Sequence, residues 1–285
     1  MNDKTVKATI AGFLHDLGLL SERAGISEEE DRSNLSCDFL SELTDDKDIS
    51  EAVNNHKKSR LINAGLDKDS LAYIIHTARL ISFGTNYRKT VDEIENDAYD
   101  NTLPMATVFN ILNGRNKTFC YKMVPLTDEI NFPVQINKYS VSPDDYKKLL
   151  SALKDDLKTI EYNERFLDAL SSVLEKHLSF VPATTSLNEL RDISLYDHSK
   201  ITAAISACIY EYLSDHGITD FRQEIFENIE SFRKKKAFIM YSGDFSGIQG
   251  FIYNVVADGA LKSLRSRSFF LEMLQEHIID EILSA

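Results

Sequence analysis

The chain has 285 residues, of which 43% are hydrophobic, and a formal net charge of -13 at pH 7. This length supplies apolar material for two cores, because a domain usually holds roughly 100–200 residues. The acidic excess argues against broad nucleic-acid binding through the surface, since affinity for phosphates comes mainly from lysine and arginine.

Neither a membrane span nor a secretory leader is predicted. No apolar run reaches the roughly 20 residues of a spanning helix, and the first residues lack a signal-peptide core. Cys37, Cys120 and Cys208 are isolated, without a C-x-x-C pair that would indicate a zinc ribbon. These features predict a cytoplasmic protein with reduced thiols.

Residues 1–100 have the pattern of an all-α domain. An apolar first helix leads to His15 and Asp16, and a charged loop follows at 28–32. Apolar periodicity then predicts helices at 35–43, 49–56 and 71–83.

Residues 101–235 are predicted to mix strands and helices. Short apolar runs near the Asn113-Gly114 turn, at 119–124 and at 132–134, predict a few strands. Helices are predicted over 144–180 and 199–213. The Ser194-x-x-Asp197 pairing predicts a cap for the second of these.

Residues 236–285 read as strand, turn and helix. Ala237 to Tyr241 is a short apolar run typical of a buried strand. Ser246 and Gln249 are spaced as a capping box. The helix after them carries one apolar face, made of Ile248, Phe251, Ile252, Val255 and Val256.

Asp244 is predicted to lie at the strand end, beside this helix N-terminus. A carboxylate there can bind a metal while the free N–H groups of the turn receive phosphate. The same unit is also common as a plain element of the fold, so the residues alone leave both interpretations open.

The amino-acid sequence of this segment resembles that of a known family. Gly243 to Tyr253 (GDFSGIQGFIY), followed by residues 259–270, closely resembles the opening of the first Palm domain in the large subunit of type III CRISPR effector complexes, nearest to the Csm (type III-A) branch. The His15-Asp16 pair stands where the family has its HD doublet. Segments 179–185 and 192–200 are also similar, so the resemblance runs along the chain in order.

The resemblance implies an α+β fold with three regions. These are an all-α HD domain at 1–100, a mixed strand and helix region at 101–235, and the start of a ferredoxin-like Palm at 236–285. The family continues through a second Palm with a Gly-Gly-Asp-Asp turn, so we expect this chain to be truncated within the first Palm.

For the HD domain, the resemblance implies His15 and Asp16 as catalytic residues, with His15, Asp16 and His56 as metal ligands. Mn, Ni or Co would suit these ligands.

Three positions depart from the family: Leu19, Asn34 and Arg79 replace its usual lysine, histidine and aspartate. Because a guanidinium has no lone pair for a metal, we expect single-stranded DNA cleavage to be weak or lost. His76 is an alternative ligand; no role is predicted for His177, His198, His216 or His277.

For the Palm, the resemblance implies that ATP is converted to cyclic oligoadenylates with Mg²⁺. Asp244, Ser246 and Gly247 are the predicted nucleotide-binding residues. The implied partners are other Csm subunits, guide RNA and target RNA, with single-stranded DNA as a further substrate.

Two alternatives stay open at this stage. The HD domain is an active metal-dependent nuclease if its ligand set closes despite Arg79. The other alternative is a non-catalytic scaffold whose N-terminal part only docks partner subunits.

Overall fold

The computed structural model describes residues 3–26, 40, 44–83, 98–114, 118–160, 166–254 and 260–284. The predicted loop at 28–32, Asn34, Cys37 and most of the predicted helix at 35–43 lie outside the described residues, as do Val255 and Val256. None of the described helices is both long and apolar enough to cross a membrane.

The described residues between 3 and 83 fold mostly into helices, as predicted. In chain order these are α1 (Asp3–Leu14), α2 (Gly18–Arg23), α3 (Lys47–Asn55), α4 (Lys58–Asn63) and α5 (Leu71–Ser82). Side-chain caps define two of the starts: Asp46 accepts from the first N–H groups of α3, and Ser70 accepts from Ala72 at the start of α5.

The middle of the chain contains one small sheet in the described part. Strands β1 (Phe119–Cys120) and β2 (Val134–Gln135) pair antiparallel, with Phe119 opposite Gln135. The predicted strand at 119–124 is therefore much shorter than expected. Two 3₁₀ segments flank the sheet, Val108–Asn113 and Ile136–Lys138.

Longer helices follow the sheet. They are α6 (Pro143–Leu157), α7 (Phe166–Leu178) and α8 (Leu195–Asp215), then a π-helical turn (Arg222–Glu227) and α9 (Ile229–Phe232). The predicted cap of α8 is confirmed, because the Ser194 hydroxyl accepts from Asp197 N at 2.9 Å.

One continuous hydrophobic core joins the first two predicted regions. It runs from α1 residues such as Ile10 to Phe232 in α9, and residues 1–238 form one compact unit. Helix α8 packs along α1 and α5. The helices of the first predicted region therefore bury their apolar faces against an element that follows them by more than a hundred residues.

Gly12 lets α1 and α8 approach closely. A Cβ at this position would lie 2.5 Å from Ala203 Cα and 2.9 Å from Ala203 N. Both are backbone atoms of α8, so a helix would have to shift.

We expect Gly12→Ala to destabilise the chain by about 1–3 kcal/mol, the usual cost of overpacking a core. Urea denaturation measures this change. Gly250→Ala is the matched control, because its Cβ meets nothing within 4 Å. An unchanged unfolding midpoint in Gly12→Ala would show that the helices separate at no cost.

Residues 239–285 form a second unit. It contains α10 (Ile248–Tyr253) and α11 (Ala260–Ser284). Arg267 of α11 donates to the backbone oxygen of Phe251, and its guanidinium carbon lies 5.3 Å from the Phe251 ring centre.

Two local predictions in this part of the chain are wrong. Ala237 to Tyr241 does not form a strand, and the described residues supply no neighbouring strand with which it could pair. The capping box is also absent: Gly247, at φ 78°, occupies the N-cap of α10, and no side chain caps the helix. A left-handed glycine sets the start of this helix instead.

Candidate functional site

Four polar side chains, one from each of four helices or their ends, meet around the carboxylate of Asp16. His15 and Asp16 follow the last turn of α1, His56 is the C-cap of α3, Arg79 lies in α5, and His198 is in the first turn of α8. His15, Asp16, His56 and His198 are each less than 5% exposed. We call these five residues the Asp16 cluster.

The two oxygens of Asp16 face different partners. Oδ2 lies 3.2 Å from His15 Nε2, 3.3 Å from His198 Nε2 and 3.6 Å from Arg79 Nε. Oδ1 lies 3.7 Å from His56 Nε2. All three imidazoles thus present the same ring nitrogen to one carboxylate.

Backbone carbonyls fix the orientation of two of these rings. His15 Nδ1 lies 2.7 Å from Gly12 O, and His56 Nδ1 lies 2.6 Å from Val53 O. A carbonyl oxygen only accepts, so Nδ1 carries the proton in both rings. When either ring is neutral, its lone pair is on Nε2 and faces Asp16.

Burial and charge set the protonation states in the cluster. Burial alone would raise the pKa of Asp16, but the neighbouring His15 and Arg79 outweigh it and hold the pKa well below 3.8. Burial lowers the pKa of His56 from 6.5 to about 3 and also lowers that of His198. An ionised carboxylate therefore lies beside two imidazoles, those of His56 and His198, that resist protonation.

This arrangement fits a divalent metal ion. The Nε2 atoms of His15, His56 and His198 are buried and have no hydrogen-bond partner among the described residues. Ligand atoms of His15, Asp16 and His198 lie within 4.8 Å of one another. Imidazole nitrogen and carboxylate oxygen suit first-row ions, and a nearby group that fixes the second ring nitrogen is the usual support for a ligating histidine.

Arg79 opposes such an ion. Its guanidinium brings a permanent positive charge to the same Asp16 oxygen that His15 and His198 face. The guanidinium carbon lies 4.7 Å from the Phe83 ring centre, a cation–π contact that holds the side chain in place. Since like charges repel in a buried site, Arg79 reduces the affinity for any cation there.

The sequence predicted three of these residues and missed one. His15, Asp16 and His56 come together as expected, although His56 faces Oδ1 and lies outside the compact three-residue group. His198 was given no role and is part of that group. The Ser194 cap predicts that His198 lies in the first turn of α8, but no sequence signal predicts its approach to Asp16.

His76 contacts the Asp16 cluster through the backbone of His56. Its Nδ1 lies 2.8 Å from the backbone oxygen of His56, and its ring contacts Phe226. Burial lowers its pKa from 6.5 to about 4. His76 thus has the environment of a core histidine that fixes the backbone at His56.

The predicted nucleotide-binding residues lie in the second unit. Asp244 and Ser246 are in the loop before α10, and Gly247 opens the helix, where its oxygen accepts from Phe251 N at 3.0 Å. A side chain added at Gly247 would point into open space. The three residues are neighbours in the sequence, and among the described residues no side-chain contact around them defines a pocket.

Comparison with known proteins gives consistent matches. A family model described as Csm1 subunit domain B matches residues 237–285. A protein of Mycobacterium tuberculosis, a CRISPR system single-strand-specific deoxyribonuclease Cas10/Csm1 (subtype III-A), is 34% identical over 313 residues, which cover 100% of this chain and 38% of that protein.

Solved structures agree with this match. The crystal structure of Csm1 in Thermococcus onnurineus has a TM-score of 0.72 and 28% identity, and the match covers 100% of this chain and 37% of that one. A Csm1–Csm4 cassette in complex with cA3 has a TM-score of 0.69 and 27% identity, and covers 99% and 36%. The chain thus spans little more than a third of the length of these proteins.

Proposed function

Because the chain belongs to the Cas10/Csm1 family of subtype III-A CRISPR systems, we propose that it is part of the large subunit of a type III-A effector complex. The neighbour bound to Csm4 supports a role beside other Csm subunits. Guide RNA and target RNA would be engaged through the assembled complex, which accords with the acidic charge of this chain.

The whole subunit, in this proposal, converts ATP to cyclic oligoadenylates. The match of residues 237–285 to a Csm1 domain model and the solved neighbours with cA3 and ATP support it. Asp244, Ser246 and Gly247 would supply one side of a nucleotide site, with backbone N–H groups of the turn directed at phosphate. Mg²⁺ bound with the nucleotide would stabilise the attacking and leaving oxygens.

Single-stranded DNA cleavage by the Asp16 cluster is weak or lost. The observation that carries this conclusion is the position of Arg79, whose Nε lies 3.6 Å from Asp16 Oδ2. The Arg79 guanidinium already supplies part of the positive charge that a catalytic cation would contribute. Unlike a metal ion, it cannot activate a bound water for attack, and its charge is permanent.

A second candidate function is an active metal-dependent nuclease. The convergence of three unpartnered Nε2 atoms on one carboxylate favours it. His15, Asp16 and His198 would hold the ion, which would lower the pKa of a bound water and stabilise a phosphodiester under attack. His56, next to the other Asp16 oxygen, would help to orient the carboxylate.

Metal content and cleavage distinguish the two candidates. We expect the purified chain to retain well under one equivalent of Mn²⁺ after dialysis, measured by inductively coupled plasma mass spectrometry, and to cleave single-stranded DNA poorly. A variant with His15→Ala and Asp16→Ala is the control. Robust Mn²⁺-dependent cleavage that disappears in this variant would establish the nuclease instead.

The scaffold alternative is tested separately, through ATP turnover by the full-length subunit in its complex with target RNA. Turnover of ATP to oligoadenylates is the expected result. Complexes that assemble and bind target RNA, yet leave ATP unchanged, would support a docking role only.

A further inference from the structure

Ser82, the last residue of α5, contacts three groups around His198. Its Oγ lies 3.2 Å from His198 Nδ1, 2.9 Å from the backbone oxygen of Arg79 and 2.8 Å from Thr202 Oγ1. His198 and Thr202 are buried. Ser82 itself is half-buried, and its hydroxyl is the group that contacts the second ring nitrogen of His198.

This support differs in kind from that of the other two cluster histidines. Nδ1 of His15 and of His56 each face a backbone carbonyl, which can only accept a proton. Nδ1 of His198 faces a hydroxyl, which can donate or accept. Of the three imidazoles around Asp16, only that of His198 has a tautomer that its surroundings leave free to change.

Two hydrogen-bond arrangements satisfy every group. In the first, Ser82 donates to His198 Nδ1, and Nε2 carries the ring proton and faces Asp16 Oδ2 from 3.3 Å. In the second, Ser82 donates to the Arg79 oxygen and accepts from His198 Nδ1, which leaves the lone pair on Nε2. In both arrangements the single Thr202 hydroxyl proton is directed to Ser82 Oγ and not to the His198 backbone oxygen, which also lies 2.8 Å from Thr202 Oγ1. The imidazole carries one proton in both.

The ring does not have to move between these arrangements. His198 is stacked on Phe83 with ring centres 4.5 Å apart and planes at 26°, so its orientation is fixed by packing. Only the Ser82 hydroxyl rotates, and the proton lost from Nε2 is balanced by one gained at Nδ1.

We propose that Ser82 is a positioning residue that sets the tautomer of His198, with Nε2 protonated in the metal-free cluster and Nδ1 protonated when a divalent cation binds His15, Asp16 and His198. The inference rests on the metal site of the second candidate function and adds the residue that would make His198 a ligand. Second-layer partners of metal-binding histidines typically change metal affinity 10–100-fold when they are removed.

The test uses the 285-residue chain with ¹⁵N-labelled histidine, and long-range ¹H–¹⁵N spectra that distinguish the two tautomers. Zn²⁺ is the probe because it is diamagnetic and accepts these ligands. We expect His198 to be protonated at Nε2 without Zn²⁺ and at Nδ1 with saturating Zn²⁺. Ser82→Ala should weaken Zn²⁺ binding about tenfold, and Ser82→Thr, which keeps the hydroxyl, should restore it.

Ser206→Ala is the matched control for lost stability. Its hydroxyl is buried on α8, one turn after Thr202, and donates only to the Thr202 backbone oxygen at 2.7 Å among its hydrogen bonds. This variant should bind Zn²⁺ like the parent. If it loses as much affinity as Ser82→Ala, the effect is structural and the positioning role is wrong.

The spectra separate failure of the inference from failure of the metal site. If Zn²⁺ shifts His15 Nε2 while His198 keeps one tautomer, the metal site holds and the role of Ser82 is overturned. If Zn²⁺ shifts neither ring, the metal site itself is wrong and the inference falls with it.

Discussion

Arg79→Asp is expected to raise the affinity of the Asp16 cluster for Mn²⁺ by at least about tenfold. An opposite charge within about 4–6 Å typically shifts the pKa of an ionisable group by about 1–3 units, each a factor of ten in proton affinity, and we expect a comparable effect on a bound cation. The substitution removes a guanidinium that lies 3.6 Å from Asp16 Oδ2 and supplies a new oxygen ligand. Isothermal titration with Mn²⁺ measures the change. Single-stranded DNA cleavage should appear with it.

Arg79→Ala is the companion variant, because it removes the positive charge without adding a ligand. We expect it to gain part of the affinity and little cleavage. If neither variant binds Mn²⁺ more tightly than the parent, the guanidinium is not what limits metal binding. Another feature of the cluster then limits its affinity for the metal.

Gly247→Val is expected to abolish oligoadenylate synthesis by the assembled complex bound to target RNA. Gly247 has φ 78°, a region that a β-branched residue adopts only under strain. An added side chain meets nothing within 4 Å of its Cβ, so the loss would come from a distorted turn and from blocked approach of a nucleotide. Production of oligoadenylates from labelled ATP measures the effect.

Two controls accompany this variant. Guide-directed RNA cleavage by the complex should be unchanged and reports normal assembly. Ser246→Ala should leave thermal stability unchanged, because no side chain caps α10. If the Gly247→Val complex assembles and makes oligoadenylates at the parent rate, the turn is only a connector.

The amino-acid sequence by itself determined those features of the structure, such as helices and helix caps, that depend on residues close together in the chain. Ser194 caps α8 because a hydroxyl three residues before Asp197 N reaches it in any helix. The helices at 49–56 and 71–83 follow from their own apolar periodicity. The His15-Asp16 pair and the Gly243 to Tyr253 segment carried the family resemblance, which the comparisons confirm.

Sequence patterns failed where a local signal needed a distant partner. Ala237 to Tyr241 has the composition of a strand, but strands form only by pairing, and the described residues offer no partner. Ser246 and Gln249 have capping-box spacing, yet the left-handed backbone of Gly247 starts α10 one residue later. Spacing permits such features, and the surrounding chain decides whether they form.

The place of His198 in the Asp16 cluster was decided by the tertiary structure alone. His198 reaches Asp16 because α8 packs on α1 at Gly12, where two backbones come close enough that no side chain fits between them. No sequence spacing encodes that approach, since the two helices are far apart along the chain. The sequence named Arg79 as a departure from the family, but only the packing of α5 against the same carboxylate shows what its charge opposes.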